Sequence, residues 1–147
     1  MNVSIRQATT ADLAGVLALY AQPDLDDGKV LSEAEARKIF AQFAQYPNYR
    51  LFVAVDGHNV VSTFALLVMH NLAHRGMPSA IAEDVVVAES RQGQGIGRQM
   101  MAYAVEQARL AGCYKLALSS NRKRKEAHAF YESLGFAQHG LSFVIEI

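Results

Sequence analysis

Val85-Val86-Val87-Ala88-Glu89-Ser90-Arg91-Gln92-Gly93-Gln94-Gly95-Ile96-Gly97-Arg98 carries the fold in a single passage: a strand, a short polar stretch, a glycine-rich turn and a helix start. The apolar, β-branched run from Ala80 to Ala88 predicts a central strand buried on both faces. Met100, Met101, Ala104, Val105, Ala108 and Leu110 follow at helical spacing, and Gly112 ends the helix. Glycines at a helix start let backbone N–H groups converge on an anion, and the helix dipole favours negative charge there. Arg91 and Arg98 flank the turn with further positive charge.

Upstream, Val3 to Arg6 alternates like a strand, and Thr9 to Asp12 reads as a helix start followed by the stripe Leu13, Val16, Leu17, Tyr20. Ser32-Glu33-Ala34-Glu35 is a capping box opening a second helix, whose expected buried face is Ala36, Ile39, Phe40 and Phe43. Arg50–Val55 and Asn59–Met69 flank Asp56-Gly57 and predict a hairpin, while His70 to Ser79 reads as a surface connection. Downstream, Tyr114–Leu118 reads as a strand and Glu126–Leu134 as a helix closed by Gly135. The tail Phe136–Ile147 reads as two strands, with Leu141, Phe143, Ile145 and Ile147 at every second place. The expected order is β-α-α-β-β-β-α-β-α-β-β over one domain, residues 1–147: an α/β (α+β) fold with a mixed, mostly antiparallel sheet flanked by helices.

The 147 residues are 51 % apolar and 19 % charged, a globular balance rather than a disordered one. Lys plus Arg and Asp plus Glu are both 14, so the chain is not broadly basic. One cysteine, Cys113, excludes an internal disulfide and a cysteine zinc cluster, and fits a reducing, cytoplasmic setting. The longest apolar stretch, Val60–Met69, is too short to span a bilayer, so no membrane partner is expected. His70 and His74 lie in a loop without a third ligand at metal spacing, so no metal is expected. Arg122-Lys123-Arg124-Lys125 is the only dense basic run and lacks a wider basic face or aromatic platform, so no nucleic acid is expected.

Two phosphate-binding designs fail on the glycine turn. A Walker loop needs Lys-Ser/Thr after its last glycine, where Arg98-Gln99 stands. A dinucleotide fingerprint needs its third glycine one place later than Gly97 and an acid about twenty residues on. Gln92-Gly93-Gln94-Gly95-Ile96-Gly97 instead resembles the Q/R-x-x-G-x-G/A pyrophosphate loop of the GNAT superfamily of N-acetyltransferases. The preceding Val-Val-Val strand and Phe130-Tyr131-Glu132-Ser133-Leu134-Gly135-Phe136 resemble that family's fourth strand and last helix. Glu83–Val87 and Gly112–Lys115 look like glucosamine-phosphate acetyltransferases. Ser119-Ser120-Asn121 and Ala127–Tyr131 look like small-amine and aminoalkylphosphonate acetyltransferases.

The resemblance implies acetyl transfer from acetyl-CoA (coenzyme A as co-substrate) to a primary amine of a small molecule, by direct transfer in a ternary complex. It implies that Gln92, Gly93, Gln94, Gly95, Ile96, Gly97 and Arg98 hold the pyrophosphate, while Val85, Val86 and Val87 meet the pantetheine arm in strand fashion. The Val87 N–H would polarise the thioester carbonyl. Glu83 takes the place of the base and is expected on the same strand face as Val85 and Val87. Tyr131 matches the tyrosine that protonates the departing thiolate, a phenol already protonated at working pH. Relatives carry Asn seven residues before that tyrosine, where this chain has Arg124; Asn121 takes the role, or Arg124 bonds a phosphate. Rival readings are a non-catalytic acyl-CoA-binding sensor, a protein or peptide amine acetyltransferase, and a nucleotide-binding module. A homodimer through the late strands completes the expectations.

Overall fold

A computed structural model describes residues 2–147. The chain runs β1 (Ser4–Gln7), α1 (Leu13–Tyr20), α2 (Glu33–Phe43), β2 (Tyr49–Asp56), β3 (Asn59–Met69), β4 (Ser79–Val87), α3 (Ile96–Leu110), β5 (Leu116–Ala117) and α4 (Lys125–Ser133). The chain divides into two compact units, the first ending at Ala117 and the second covering Leu118–Ile147. The sheet order is β1-β2-β3-β4-β5, antiparallel as far as β4, with β5 parallel to β4. This is the expected mixed α/β fold.

Local chemistry sets the element ends. Ser32 Oγ accepts from the Glu35 N–H (3.2 Å) and Glu35 accepts from the Ser32 N–H (3.0 Å), so the capping box forms as read. Ahead of α1 the carboxylate leads instead: Asp12 accepts from the Thr9 N–H at 2.7 Å and is clasped by Arg6 at 2.7 and 2.9 Å. That pair holds the Asp12 carboxyl at about 2, with the Arg6 hydrogen bonds the main cause. Gly15 lets α1 lie close on β3, since a Cβ there would stand 2.7 Å from Val60 Cβ.

One core layer joins Leu13 and Val16 of α1, Ala36 of α2, and Leu51, Val53 and Ala65 of the sheet. On the other face Phe52, Phe64 and Leu66 meet Ile96, Met100 and Met101 of α3, all fully buried. Phe52 stacks on Phe64 at 5.2 Å between ring centres. The buried hydroxyls of β3 are satisfied within the sheet: Ser62 donates to the Val86 carbonyl (2.7 Å) and Thr63 to the Phe52 carbonyl (2.8 Å).

Several expectations need correction. Ile39 and Leu110 are exposed rather than buried, and the strand near Tyr114–Leu118 shrinks to Leu116–Ala117. β4 is not buried on both faces along its length, because Glu83 and Asp84 are exposed. The tail forms neither expected strand: after α4 no strand follows, and Leu141, Phe143, Ile145 and Ile147 stand in solvent. Alternation sets which face a strand would bury, but a strand forms only where a neighbouring strand bonds its backbone.

Candidate active site

The geometry of β4 changes at Asp84. Ala82 pairs with Leu66 and Glu83 with Ala65, yet Thr63 pairs with Val86, so three steps along β4 match two along β3. Asp84 supplies the extra residue, with φ of 52°, a left-handed conformation that Asp tolerates better than most residues. Residues directly opposite in a ladder share a face. Glu83 therefore projects with Ala65 toward α1, as does Val86, while Val87 turns to the α3 side with Ser62. The expectation that Glu83 shares a face with Val85 and Val87 is corrected by this bulge, which breaks the two-residue alternation.

Glu83 is exposed as a residue, but partial desolvation of its carboxyl raises it above its usual range, and the neighbouring Asp84 charge raises it further. Asp84 is raised for the same first reason and then by Asp26. Tyr20 of α1 is pushed well above the usual phenol range by burial and then by Asp84, so its hydroxyl stays protonated. α1, the loop after it and α2 enclose a cavity of about 500 Å³, lined by Leu13, Val16, Phe40 and, among polar groups, Tyr20, Asp26, Lys29 and Glu35; neither Glu83 nor Asp84 lines it.

The other edge of β4 is open where the carboxylates end. β5 pairs with β4 only through Ala80–Leu116 and Ile81–Ala117. The Ala88 N–H bonds back to the Val61 carbonyl at 2.9 Å, and the Val86 carbonyl takes the Ser62 hydroxyl. Alternation therefore turns the backbone groups of Val87, and of Val85 before it, away from β3. Val86, expected among the cofactor contacts, has its backbone committed to β3. Sequence reading missed Gln22, just past α1: it donates to the Val87 carbonyl (3.2 Å) and accepts from the Glu89 N–H (2.9 Å). It staples the end of β4 to the start of the loop across 65 residues of chain, a distance no local motif signals.

At the glycine turn Gly95 stands at the N-cap of α3 with φ of 82°, and Gly93 has φ of 76°. A Cβ at either would meet open space, so the need for glycine is conformational. No side chain caps α3, which leaves its first-turn N–H groups facing outward from a fifteen-residue helix. Ile96 is buried and anchors that turn, while Gln92, Gln94 and Arg98 are exposed around it. Arg91 is held by Asp56 (2.9 Å) and by Gln94 Oε1 (3.0 Å), so it braces the loop. The uncapped amides, the two left-handed glycines and the exposed Arg98 fit a pyrophosphate. The half-buried Cys113 thiol is raised by burial, the reverse of an activated nucleophile.

Tyr131 and its neighbours lie in the second unit. Tyr131 packs edge-on against Phe130 (5.3 Å) and Phe136 (5.8 Å), and burial raises its hydroxyl while Arg124 pulls the other way. Asn121 Oδ1 accepts from the Lys123 N–H at 2.9 Å, and the Asn121 carbonyl lies 2.8 Å from His128 Nε2, so Asn121 shapes the turn into α4.

Residues 47–138 match the family described as the acetyltransferase (GNAT) domain. The chain belongs to the GNAT acetyltransferases. It is 35 % identical to an aminoalkylphosphonate N-acetyltransferase of Salmonella typhimurium, across 95 % of this chain and 88 % of that one. It is 34 % identical to an aminoglycoside N(6')-acetyltransferase of Stenotrophomonas maltophilia, across 92 % and 86 %. Among solved structures, a putative acetyltransferase from Agrobacterium tumefaciens superposes with a TM-score of 0.91 at 39 % identity, covering 98 % of this chain and 99 % of that one. This GNAT protein is thus an acetyltransferase of a family that uses acetyl-CoA as co-substrate. Among the described residues no helix is long and apolar enough to cross a membrane.

Proposed function

We propose that this enzyme moves the acetyl group of acetyl-CoA to the primary amine of a small molecule, by direct attack in a ternary complex. The observation that carries the reading is the open far edge of β4 from Ala82 onward, running into the uncapped start of α3. An extended amide-bearing arm can add to that edge as a strand would, with its phosphates on the helix start. Bound acetyl-CoA supplies an acyl carbon activated by a thiolate leaving group.

The chain's residues do the rest. The Gln92–Arg98 turn holds the pyrophosphate, and Val85 and Val87 align the arm. The Val87 N–H polarises the acyl oxygen. Glu83, with its raised carboxyl, takes the proton of the incoming ammonium, directly or through water, so that the nitrogen lone pair attacks. The C–N bond forms, the C–S bond breaks, and the thiolate takes its proton from Tyr131, whose hydroxyl burial keeps protonated; the nitrogen sheds its second proton through water as the amide forms, which restores the Tyr131 hydroxyl, and the proton on Glu83 leaves to solvent. Asn121 orders the turn, and Arg124 takes the place where relatives carry Asn. We place both units in one GNAT domain, residues 1–147, working in the reducing cytoplasm. The cavity beside α1 has the size of small-molecule sites, and the similar proteins named above act on an aminoalkylphosphonate and an aminoglycoside, which favours a small-molecule acceptor over a protein lysine.

A thermal melt with acetyl-CoA, and separately with ATP and NAD, tests the cofactor. A ligand at a hundred times its dissociation constant adds about 2.7 kcal/mol, a shift of several degrees. A shift with ATP or NAD and none with acetyl-CoA overturns the reading. A shift with acetyl-CoA but no thiol release across an amine panel turns it into the acyl-CoA sensor. Tyr131→Phe should lower turnover about a hundredfold while sparing that melt shift; unchanged turnover at saturating substrates removes the acid role.

A further inference from the structure

Past Ile81 no residue of β5 pairs with β4, so backbone groups on that side of the strand take other partners. The Ala88 N–H donates to the Val61 carbonyl of β3 at 2.9 Å, and a trans peptide points its carbonyl the opposite way. The Val87 carbonyl therefore faces the open edge. Gln22 meets it there: its Nε2 donates to that carbonyl at 3.2 Å, and Gln92 Nε2 adds a longer bond at 3.4 Å. Gln22 Oε1 accepts from the Glu89 N–H at 2.9 Å. One amide group so bridges two successive peptide planes where β4 gives way to the glycine loop. An amide supplies both the donor and the acceptor this needs; a carboxylate or an ammonium supplies one of them.

The same residue organises the chain on the cavity side. Its backbone carbonyl accepts from the N–H groups of Leu25 and Asp27, both at 3.1 Å. The carbonyls of Tyr20 and Ala21 accept from Asp26 (2.9 Å) and Gly28 (2.8 Å). A helix leaves its last carbonyls without internal partners, and here they fold residues 23–28 back onto the end of α1. Asp27 (φ 49°) and Gly28 (φ 82°) turn the chain in left-handed backbone. Asp26 and Lys29 then stand in the cavity wall with Tyr20. A shift of Gln22 moves two things together: the peptide after Val87, and the polar part of that wall. We propose that Gln22 is a positioning residue of the transfer, holding the acyl-bearing end of β4 and the acceptor-side loop in one fixed relation. This role rests on the acetyl-transfer reading and adds a residue to it. Misplacing reacting atoms by about 1 Å costs on the order of a hundredfold in rate, so such a clamp is read in kcat.

Gln22→Met keeps the length of the side chain and loses both bonds. Gln22→Glu keeps an acceptor for the Glu89 N–H and, at neutral pH, loses the donor for the Val87 carbonyl. With the amine that gives the fastest thiol release held at saturation, Gln22→Met should lower kcat about tenfold to a hundredfold. Acetyl-CoA should still raise its melting midpoint as in the natural protein. For Gln22→Glu, kcat relative to the natural protein at the same pH should climb as pH falls, because the protonated carboxyl regains a donor. Hydrogen exchange in Gln22→Met should speed up at the Glu89 amide and also at Leu25 and Asp27, whose own bonds the substitution leaves in place. Unchanged kcat reduces Gln22 to a structural staple and overturns the proposal. So does a lost acetyl-CoA shift, which would make Gln22 a cofactor contact, a kcat ratio flat across pH, or exchange confined to Glu89. Should Gln22→Met fail to fold, the Gln22→Glu ratio decides. A natural protein with neither an acetyl-CoA shift nor thiol release overturns the acetyl-transfer reading and this role with it; every other failure strikes the role of Gln22 alone.

Discussion

The two halves of β4 obey different rules. From Ser79 to Ala82 the strand is bonded on both sides at Ala80 and Ile81, keeps strict register with β3, and is largely buried. From Glu83 to Val87 it is bonded on one side only, carries two exposed carboxylates, and contains a left-handed residue in the middle of a strand. The first half is held by strands on both sides at Ala80 and Ile81. The second turns the backbone of Val85 and Val87 away from β3, with the Val87 carbonyl taken by Gln22, and turns Glu83 toward α1. One strand thus joins a scaffold bonded on both sides to an edge bonded on one, with the bulge at Asp84 in the second part.

Substitutions in the two halves should separate stability from activity. The largest effect is expected from Glu83→Gln: kcat/KM should fall about a hundredfold near neutral pH, roughly 2.7 kcal/mol of barrier. The gap should narrow above the pKa of the amine, where no base is needed, and again in acid, where Glu83 itself is protonated. Stability should move the other way. A carboxyl raised on folding favours the fold when protonated and loses that contribution as pH rises through its folded pKa, so at pH 7 the Glu83→Gln protein should melt no lower. A pH-rate profile alongside a melt reads both, and a rate loss of equal size at every pH would break the base assignment.

On the scaffold side, Ala80→Leu should do the opposite. Ala80 is fully buried and opposes Leu116, so three added carbons have no space and should cost about 1–3 kcal/mol in chemical denaturation. kcat per folded molecule should hold. An Ala80→Leu protein that keeps its full stability, or one that is stable but inactive, would mean the division between the halves is drawn in the wrong place.

The sequence disclosed what depends on neighbours and concealed what depends on distance. The Ser32 capping box, the Asp56-Gly57 hairpin and the glycine turn before α3 are local devices, and each forms where residue type requires it. The bulge was not legible, because alternation was carried through Asp84 as though every step in β4 were regular; its one cue was an Asp, which tolerates left-handed backbone, between two strand segments. Gln22 was hidden by the 65 residues that separate it from Val87. The tail is hidden for a different reason: alternation sets which face a strand would bury, but it does not say whether a neighbour is there to bond.

A third substitution compares two carboxylates with opposite histories. Asp12 is drawn down to about 2 from an ordinary 3.8 by Arg6, whereas Glu83 is raised. A lowered carboxyl stabilises above its unfolded pKa and loses that contribution as pH falls through its folded one. Asp12→Asn should therefore cost about 1–2 kcal/mol at pH 7, less than the full shift because Arg6 is 43 % exposed. The cost should fade between pH 4 and 2 in a pH series of denaturant melts; a cost that persists at pH 2 would assign it to packing.

The smallest effect tests the bulge residue itself. Asp84→Asn keeps a side chain that accepts left-handed backbone, so the bulge and the register beyond it should survive, and with them the alignment of Val85 and Val87. What it removes is the charge beside Glu83. Since Asp84 is the second cause holding the Glu83 carboxyl up, after desolvation, the acid limb of the kcat/KM profile should move to lower pH while the plateau changes little. The charge on Tyr20 from the same neighbour also disappears, but a phenol that buried stays protonated either way and leaves no mark on the profile. An acid limb that does not move would mean that the group titrating in it is not Glu83. A limb that moves while the plateau collapses would give Asp84 a part in holding the amine as well as in setting the base.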